Sequence, residues 1–179
     1  MHDPARLTGL LLAATLFATG CHSKTSPTPD NFTDTLNAYF VEHSDCLFKV
    51  APRFPYETSD PAEIKLYDTL VHSQMLEKTE EKAIHVSRYT VTTTGNRYAP
   101  RFCYGHRAVT SIDSFTPPAA ENGFPTTHVV YHYSMKDVPI WAESAEIKAA
   151  FPRMAEATSG TASDKAMLAG TMAGWQVPD

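Results

Sequence analysis

No stretch of this chain is apolar for the roughly 20 residues that a membrane-spanning helix needs. The run from Leu10 to Ala18 reaches about half that length, so a spanning anchor is not expected. Positive charge is also short. Against 20 aspartates and glutamates stand 15 lysines and arginines, a net charge of −5 at pH 7, so nothing global attracts nucleic acid or an anionic lipid surface. Catalytic signatures are missing too. There is no G-x-S-x-G, no S-x-x-K with partners, no H-E-x-x-H and no phosphate-cradling glycine loop. Asp113 and Glu121 stand beside proline-rich turns without a paired partner. His128 and His132 fall on one face of a strand, but roughly 13 Å apart at about 3.3 Å per residue. They cannot share a metal unless His85 or His106 is brought near. No enzymatic activity, cofactor or metal is therefore expected. Internal repeats are absent, and so is low complexity beyond one short polar tract.

What is present begins with the leader "MHDPARLTGLLLAATLFATGC". Arg6 and His2 precede the apolar run, and Ala18, Thr19 and Gly20 precede Cys21, the layout of an export signal over residues 1–20. Small residues directly before a cysteine resemble the bacterial lipobox, in which the thiol is acylated and becomes the first residue of the mature chain. The resemblance implies lipidation at Cys21, with two or three acyl chains giving a stable anchor where one is marginal. The polar, proline-bearing tract after it suits a tether over residues 21–30. His22 stands where an aspartate would retain the protein on the inner membrane, which implies an outer-membrane anchor facing the periplasm.

Residues 31–179 suit a single domain. With Cys21 acylated, Cys46 and Cys103 remain as an even pair in an oxidising compartment. They form either a disulfide, worth about 4 kcal/mol by loop closure, or two buried free thiols. Neither sits in a Cys–His signature that would make it a nucleophile.

Periodicity places the elements. "PDNFTDTLNAYFVEH" carries Phe32, Leu36, Tyr39 and Phe40 as a helical stripe, capped by Asp30 or Asn31. "SDCLFKVAPRFPYETS" reads as an irregular connection. A second helix opens at Asp60-Pro61 with Glu63 as reciprocal cap and Ile64, Tyr67, Leu70 and Val71 inward. "SQMLEKTEEK" after it reads as a turn. The period then changes to two. Tyr89 and Val91 share a strand face, and a long strand from Arg101 slips its alternation between Ala108 and Ile112, which predicts a bulge. "THVVYHYSM" turns Val129, Tyr131 and Tyr133 to one side. A short helix, with Ile140, Ile147 and Phe151 inward and Pro152 at its end, precedes a last strand bearing Met167 and Trp175. N-terminal helices followed by a mostly antiparallel sheet with one inserted helix make an α+β domain.

The stretch "SRYTVTTTGNRYAPRFCYG" reads as a hairpin and resembles the wing of a winged-helix domain through Tyr89, Val91, Thr92, Gly95 and Arg97. The helix before it carries Glu63 and Asp68, with Glu57, Asp60, Glu77, Glu80 and Glu81 flanking it, which would repel phosphate. Nucleic acid is therefore not an expected partner. From Ala83 to Ile112 there is no acidic residue, and Arg88, Arg97, Arg101 and Arg107 lie among aromatics. These four are candidates for an anion-binding or partner surface. Alternatively, they pair with the acidic second helix.

Cys21, "DCL" (Asp45 to Leu47), "RYTVTTTGNRY", "FCYG" (Phe102 to Gly105), "FTPP" and "GW" together resemble a group of uncharacterised bacterial lipoproteins, over most of the chain beyond Cys21. The resemblance implies an envelope location and no particular activity. It also suits a Cys46–Cys103 bridge tying the helical half to the sheet. The expected function is non-enzymatic: a lipid-anchored envelope protein contacting another envelope protein, a glycan or a lipid. A small-ligand or anion-binding module is the alternative.

Overall fold

A computed structural model describes residues 23–121, 123–160 and 162–178, and its first element is helix α1, Pro29–Glu42. Phe32, Leu36 and Phe40 recur every fourth position, so they share one side of the helix, and all three are buried. The cap is Thr28, whose hydroxyl accepts from the Asn31 amide at 3.4 Å. It precedes the expected Asp30 or Asn31 because Pro29, lacking an N–H, takes the first helical position. The Asn31 side chain instead donates to the Ser23 and Ser26 carbonyls at 2.9 and 2.8 Å. Trp175 Nε1 donates to Ser26 at 3.1 Å. The expected tether is thus held against the domain from Ser23 onward, while Cys21 lies outside the described residues.

Next come β1 (Tyr56–Thr58), α2 (Pro61–His72), β2 (Leu76–Glu81) and β3 (Val86–Val91). The strands form a three-stranded antiparallel sheet in the order β1-β3-β2. Asp60 caps α2, accepting from the Ala62 and Glu63 amides at 2.7 and 3.1 Å. Glu63 does not return the bond. Its carboxylate accepts from Tyr56 Oη at 2.9 Å and Thr58 Oγ1 at 2.6 Å, fastening β1 to the helix.

β2 corrects the expected turn after α2. It is an edge strand with only Leu76 buried and charged side chains along the rest, so it carries no apolar alternation to read. That charge also protects the edge from pairing with another chain. β3 corrects the hairpin. Both its edges are already taken by β1 and β2, so residues 92–105 leave it through a 3-10 turn, Gly95–Arg97. No return strand pairs with β3, and the wing-like shape is not formed. Arg101 to Gly105, read as the start of a strand, is not part of β4: Arg101 and Phe102 lie in a turn and Cys103 makes an isolated antiparallel bridge to Cys46.

The second sheet holds β4 (His106–Phe115), β5 (Ala119–Glu121), β6 (Phe124–Lys136), β7 (Ala162–Thr171) and β8 (Gly174–Gln176). Its order is β4-β6-β7-β8, antiparallel throughout, with β5 also on β6. The predicted slip in β4 is present as register shifts between Val109 and Ser111 and between Ile112 and Ser114. Val129, Tyr131 and Tyr133 of β6 are buried as expected.

Between β6 and β7 the single expected helix is instead a 3-10 turn (Ile140–Glu143) and two short helices, α3 (Ala145–Ala150) and α4 (Pro152–Ala157). Pro152 opens α4 rather than only ending α3, which its missing N–H permits. Ile140 is 92% exposed, and Trp141 takes the inward position. The last expected strand is the β7–β8 hairpin, with Leu168 buried and Met167 outward.

α1 lies across the inner face of this sheet, with Phe32 edge-on to Phe115 and Trp175 at 5.1 Å each. Phe48, Phe54, Tyr67 and Phe102 join the two sheets into one core. The α+β class is as read from the sequence. No helix among the described residues is long and apolar enough to cross a membrane.

Candidate functional site

The segment after α1 and the segment before β4 run antiparallel as a short ribbon. The Asp45 amide donates to the Gly105 carbonyl and the Tyr104 amide to the Asp45 carbonyl, both at 2.8 Å. The Leu47 amide donates to Phe102 at 3.1 Å and the Phe48 amide to Arg101 at 3.2 Å. Within this ribbon Cys46 faces Cys103, and the two form a disulfide with an S–S distance of 2.04 Å. Of the two expectations for the cysteines, the bridge holds. It ties the connection after α1 to the loop between the two sheets.

Arg107, two residues past the ribbon on β4, is almost fully engaged. Its Nε donates to Asp45 Oδ2 at 2.8 Å and Nη2 to Asp45 Oδ1 at 3.3 Å, a bidentate fork. Its Nη1 donates to Asp164 Oδ2 at 2.6 Å and to Tyr131 Oη at 2.9 Å. The guanidinium carbon also lies 4.6 Å from the Tyr133 ring centre and 5.2 Å from that of Phe40. Burial works against the charge, but the hydrogen bonds that the guanidinium donates to Asp45 and Asp164 outweigh it, and the group is held even more firmly protonated than usual.

Arg107 therefore fastens the ribbon to β6 and β7 rather than offering a free cation. Arg107→Gln is expected to lower stability by about 2–3 kcal/mol, because removing one partner leaves uncompensated carboxylates. The partial exposure of Asp45 and Asp164 keeps the effect at that lower end. Urea unfolding measures it. Arg107→Lys should recover little, since a lysine cannot reproduce the fork.

The other candidate arginines go elsewhere. Arg88, on the small sheet, lies 3.4 Å from Glu57 of β1. Arg97 is exposed at the end of the 3-10 turn and has no ion pair among the described residues. Arg101 is exposed, and its Nε donates to the Phe48 carbonyl at 3.1 Å. None of the four pairs with α2, whose Asp68 binds Lys78 instead. The four do not make one surface. Two of them, Arg101 and Arg107, meet at a cleft.

That cleft has two lobes on either side of a shared wall formed by Ser44, Asp45, Cys46, Arg101, Arg107 and Asp164. The first lobe, of about 670 Å³, runs toward Tyr39 and His43 of the α1 end and Lys165 of β7. The second, of about 580 Å³, opens between the ribbon and α4 and is floored by Tyr104 and Tyr133. Burial pushes the Tyr104 hydroxyl up to about 12, with the nearby Asp45 charge adding to it. Tyr89 and Tyr131 are pushed up to about 12, again chiefly by burial.

A tyrosine whose folded value is raised contributes stability that is complete below its unfolded value of 10 and is lost as pH rises through its folded value. Urea midpoints are therefore expected to be level up to pH 10 and to fall steeply from there to about pH 12. Tyr104→Phe should make that fall visibly shallower.

The histidines stay apart from the cleft's shared wall. His106 lies 3.4 Å from Asp137, and His128 and His132 are exposed along β6. Among the described residues no group of three or more histidine, cysteine, aspartate or glutamate side chains is placed to hold a metal ion.

Asp45, Tyr104, Tyr133, Arg153 and Lys49 were not singled out from the sequence as site residues. Asp45 and Tyr104 stand inside the quoted "DCL" and "FCYG" motifs, so the signal was present there. Arg153 and Lys49 carry no local pattern. Compared with known proteins, the chain matches no family, no curated protein and no solved structure.

Proposed function

We propose that this chain is a lipid-anchored protein of the bacterial cell envelope, probing or holding another envelope component by binding rather than by catalysis. The small residues before Cys21, the polar tract after it and the paired cysteines support the envelope location. The observation that carries the binding role is the disulfide-walled cleft, where Arg101 and Arg107 are the two candidate arginines brought together. A binding surface needs a fixed frame, and Arg107, Asp45, Asp164 and the bridge supply one.

Two experiments test this. Cys21→Ala, or inhibition of the lipoprotein signal peptidase, should release the chain from membranes; retention without acylation would overturn the anchor. Photo-crosslinking in cells from positions 49 and 101 should trap a reproducible envelope partner that Arg97 positions do not. Identical adducts from cleft and control positions would overturn the assignment of the surface.

A further inference from the structure

The geometry points to the second lobe of the cleft as a binding site for a small ligand with an oxyanion head group, phosphate or carboxylate, carried on an apolar body. This deepens the binding role proposed above and rests on it.

The floor of the lobe is the first reason. Tyr104 and Tyr133 are each 5% exposed, yet neither hydroxyl bonds to another described residue, and both line the cavity. The contrast is with Tyr131, whose hydroxyl is taken by Arg107, and Tyr89, whose hydroxyl donates to Asp68 at 2.8 Å. Trp141 Nε1 is the buried side-chain donor sealed away without a partner among the described residues; the two tyrosine hydroxyls open onto the lobe instead. A donor that opens into a cavity without a protein partner is satisfied by water or by a ligand. Two such donors lining one cavity suit an acceptor with more than one oxygen.

The rim is the second reason. Lys49, Arg101 and Arg153 line the lobe and make no ion pair among the described residues. Two of the lining carboxylates, Asp45 and Asp164, are bound by Arg107. Glu156 is the remaining acidic lining residue. With Arg107 included, the cations Lys49, Arg101, Arg107 and Arg153 outnumber the carboxylates Asp45, Glu156 and Asp164 by one, which leaves the lobe positive in a protein whose net charge is negative. Arginine and lysine offer donors and no acceptor, and a tyrosine hydroxyl can donate as well, so this lining suits an anion.

The wall is the third. Phe48, Phe151 and Leu66, all half-buried, form its apolar side. A volume of about 580 Å³ lies within the range of small-molecule sites. Polar donors at the floor and apolar rings at the side select a ligand with an anionic end and a hydrocarbon or aromatic remainder. The source is a soluble compound or the head group of a lipid in the membrane to which the chain is tethered.

The test uses the full chain in neutral detergent, with backbone and arginine side-chain NMR signals as the readout. Phenyl phosphate and benzoate serve as soluble probes, and vesicles of phosphatidylglycerol against phosphatidylcholine serve as the lipid arm. Saturable shifts at Tyr104, Tyr133 and the Arg153 Nε are expected for one arm or the other, and that arm names the source.

Tyr104→Phe with Tyr133→Phe removes two oxygens and no packing. It should weaken binding about tenfold or more, as lost hydrogen bonds to a charged group do. Arg153→Gln, at an exposed position, should weaken it comparably and serves if the tyrosine variant folds poorly. Arg97→Gln should change nothing. Absence of saturable shifts in both arms would overturn the inference, as would binding that survives both cleft variants or weakens equally in Arg97→Gln. If crosslinking from the cleft still traps a partner in cells while neither probe binds, the ligand inference falls and the envelope-binding role stands. The reverse result separates them the other way.

Discussion

Replacing Cys46 and Cys103 together by alanine should lower the stability of the folded domain by about 4 kcal/mol, lowering its melting temperature by about 10 °C for a domain of this size. The bridge closes a loop across a sequence separation of 57. Cross-linking so distant a pair removes much of the freedom the unfolded chain would otherwise have, and that is the main source of the effect. The fold should survive the change. Four backbone hydrogen bonds still hold the ribbon on both sides of the cysteines, and Arg107 still clamps Asp45.

Reductant provides the control. Added to the native protein it should bring the melting temperature down to that of the double variant, and it should leave the variant unmoved. An unreduced protein whose melting temperature ignores reductant would overturn the prediction.

Gly105→Ala should be comparably severe, at about 4 kcal/mol, from two additive causes. The residue has φ of +122°, a conformation that side-chain-bearing residues rarely take. A Cβ there would also lie 2.2 Å from the Lys136 carbonyl oxygen. That obstacle is backbone in the β4–β6 pairing, where His106 faces Lys136, so it cannot swing aside as a flexible side chain would. Relief requires the start of β4 to shift, and with it the Gly105 carbonyl that accepts from Asp45 at 2.8 Å. Gly123→Ala separates the causes. Gly123 also has a positive φ, but nothing lies within 4 Å of its missing Cβ. It should show only the conformational part, about 1–2 kcal/mol. Equal losses at the two glycines, measured by urea unfolding, would refute the steric argument.

Both large effects fall on one short motif, Phe102 to Gly105, which the sequence marked for Cys103 alone. Its cysteine closes the bridge, its tyrosine floors the second lobe and its glycine allows the chain to enter β4. The same stretch looked like the far strand of a hairpin because its near neighbour, Val86–Val91, alternates cleanly. Alternation reveals that a strand exists and which side is buried, but it carries no information about which strand lies alongside. Here β3 was already flanked on both edges.

The same limit explains the arginines. Arg88, Arg97, Arg101 and Arg107 are close in sequence and free of acidic neighbours, yet strand order sends them to separate places. Asp45 and Asp164, which neutralise Arg107, lie 62 and 57 residues away. Lys49 and Arg153 enter the cleft from elements with no signature of their own. Edge strand β2 escaped notice for a related reason. Its glutamates face solvent, and one buried residue, Leu76, leaves no period to read.

By itself the sequence determined the elements whose signal is local. Apolar spacing placed α1 and α2, with Asp60 and Pro61 marking where α2 begins. Alternation placed β3 and β6, a slipped alternation placed the irregularity in β4, and the resulting helix-then-sheet order set the α+β class. These follow from side-chain geometry within a few residues, which any stretch of chain carries with it. Only the tertiary structure decided the pairing of Cys46 with Cys103, the division of the four arginines and the meeting of Tyr104 and Tyr133 with Lys49, Arg101 and Arg153 around one cavity. Those depend on contacts between residues tens of positions apart. They are selected by the packing of two sheets and α1 around one core, and no local propensity encodes them.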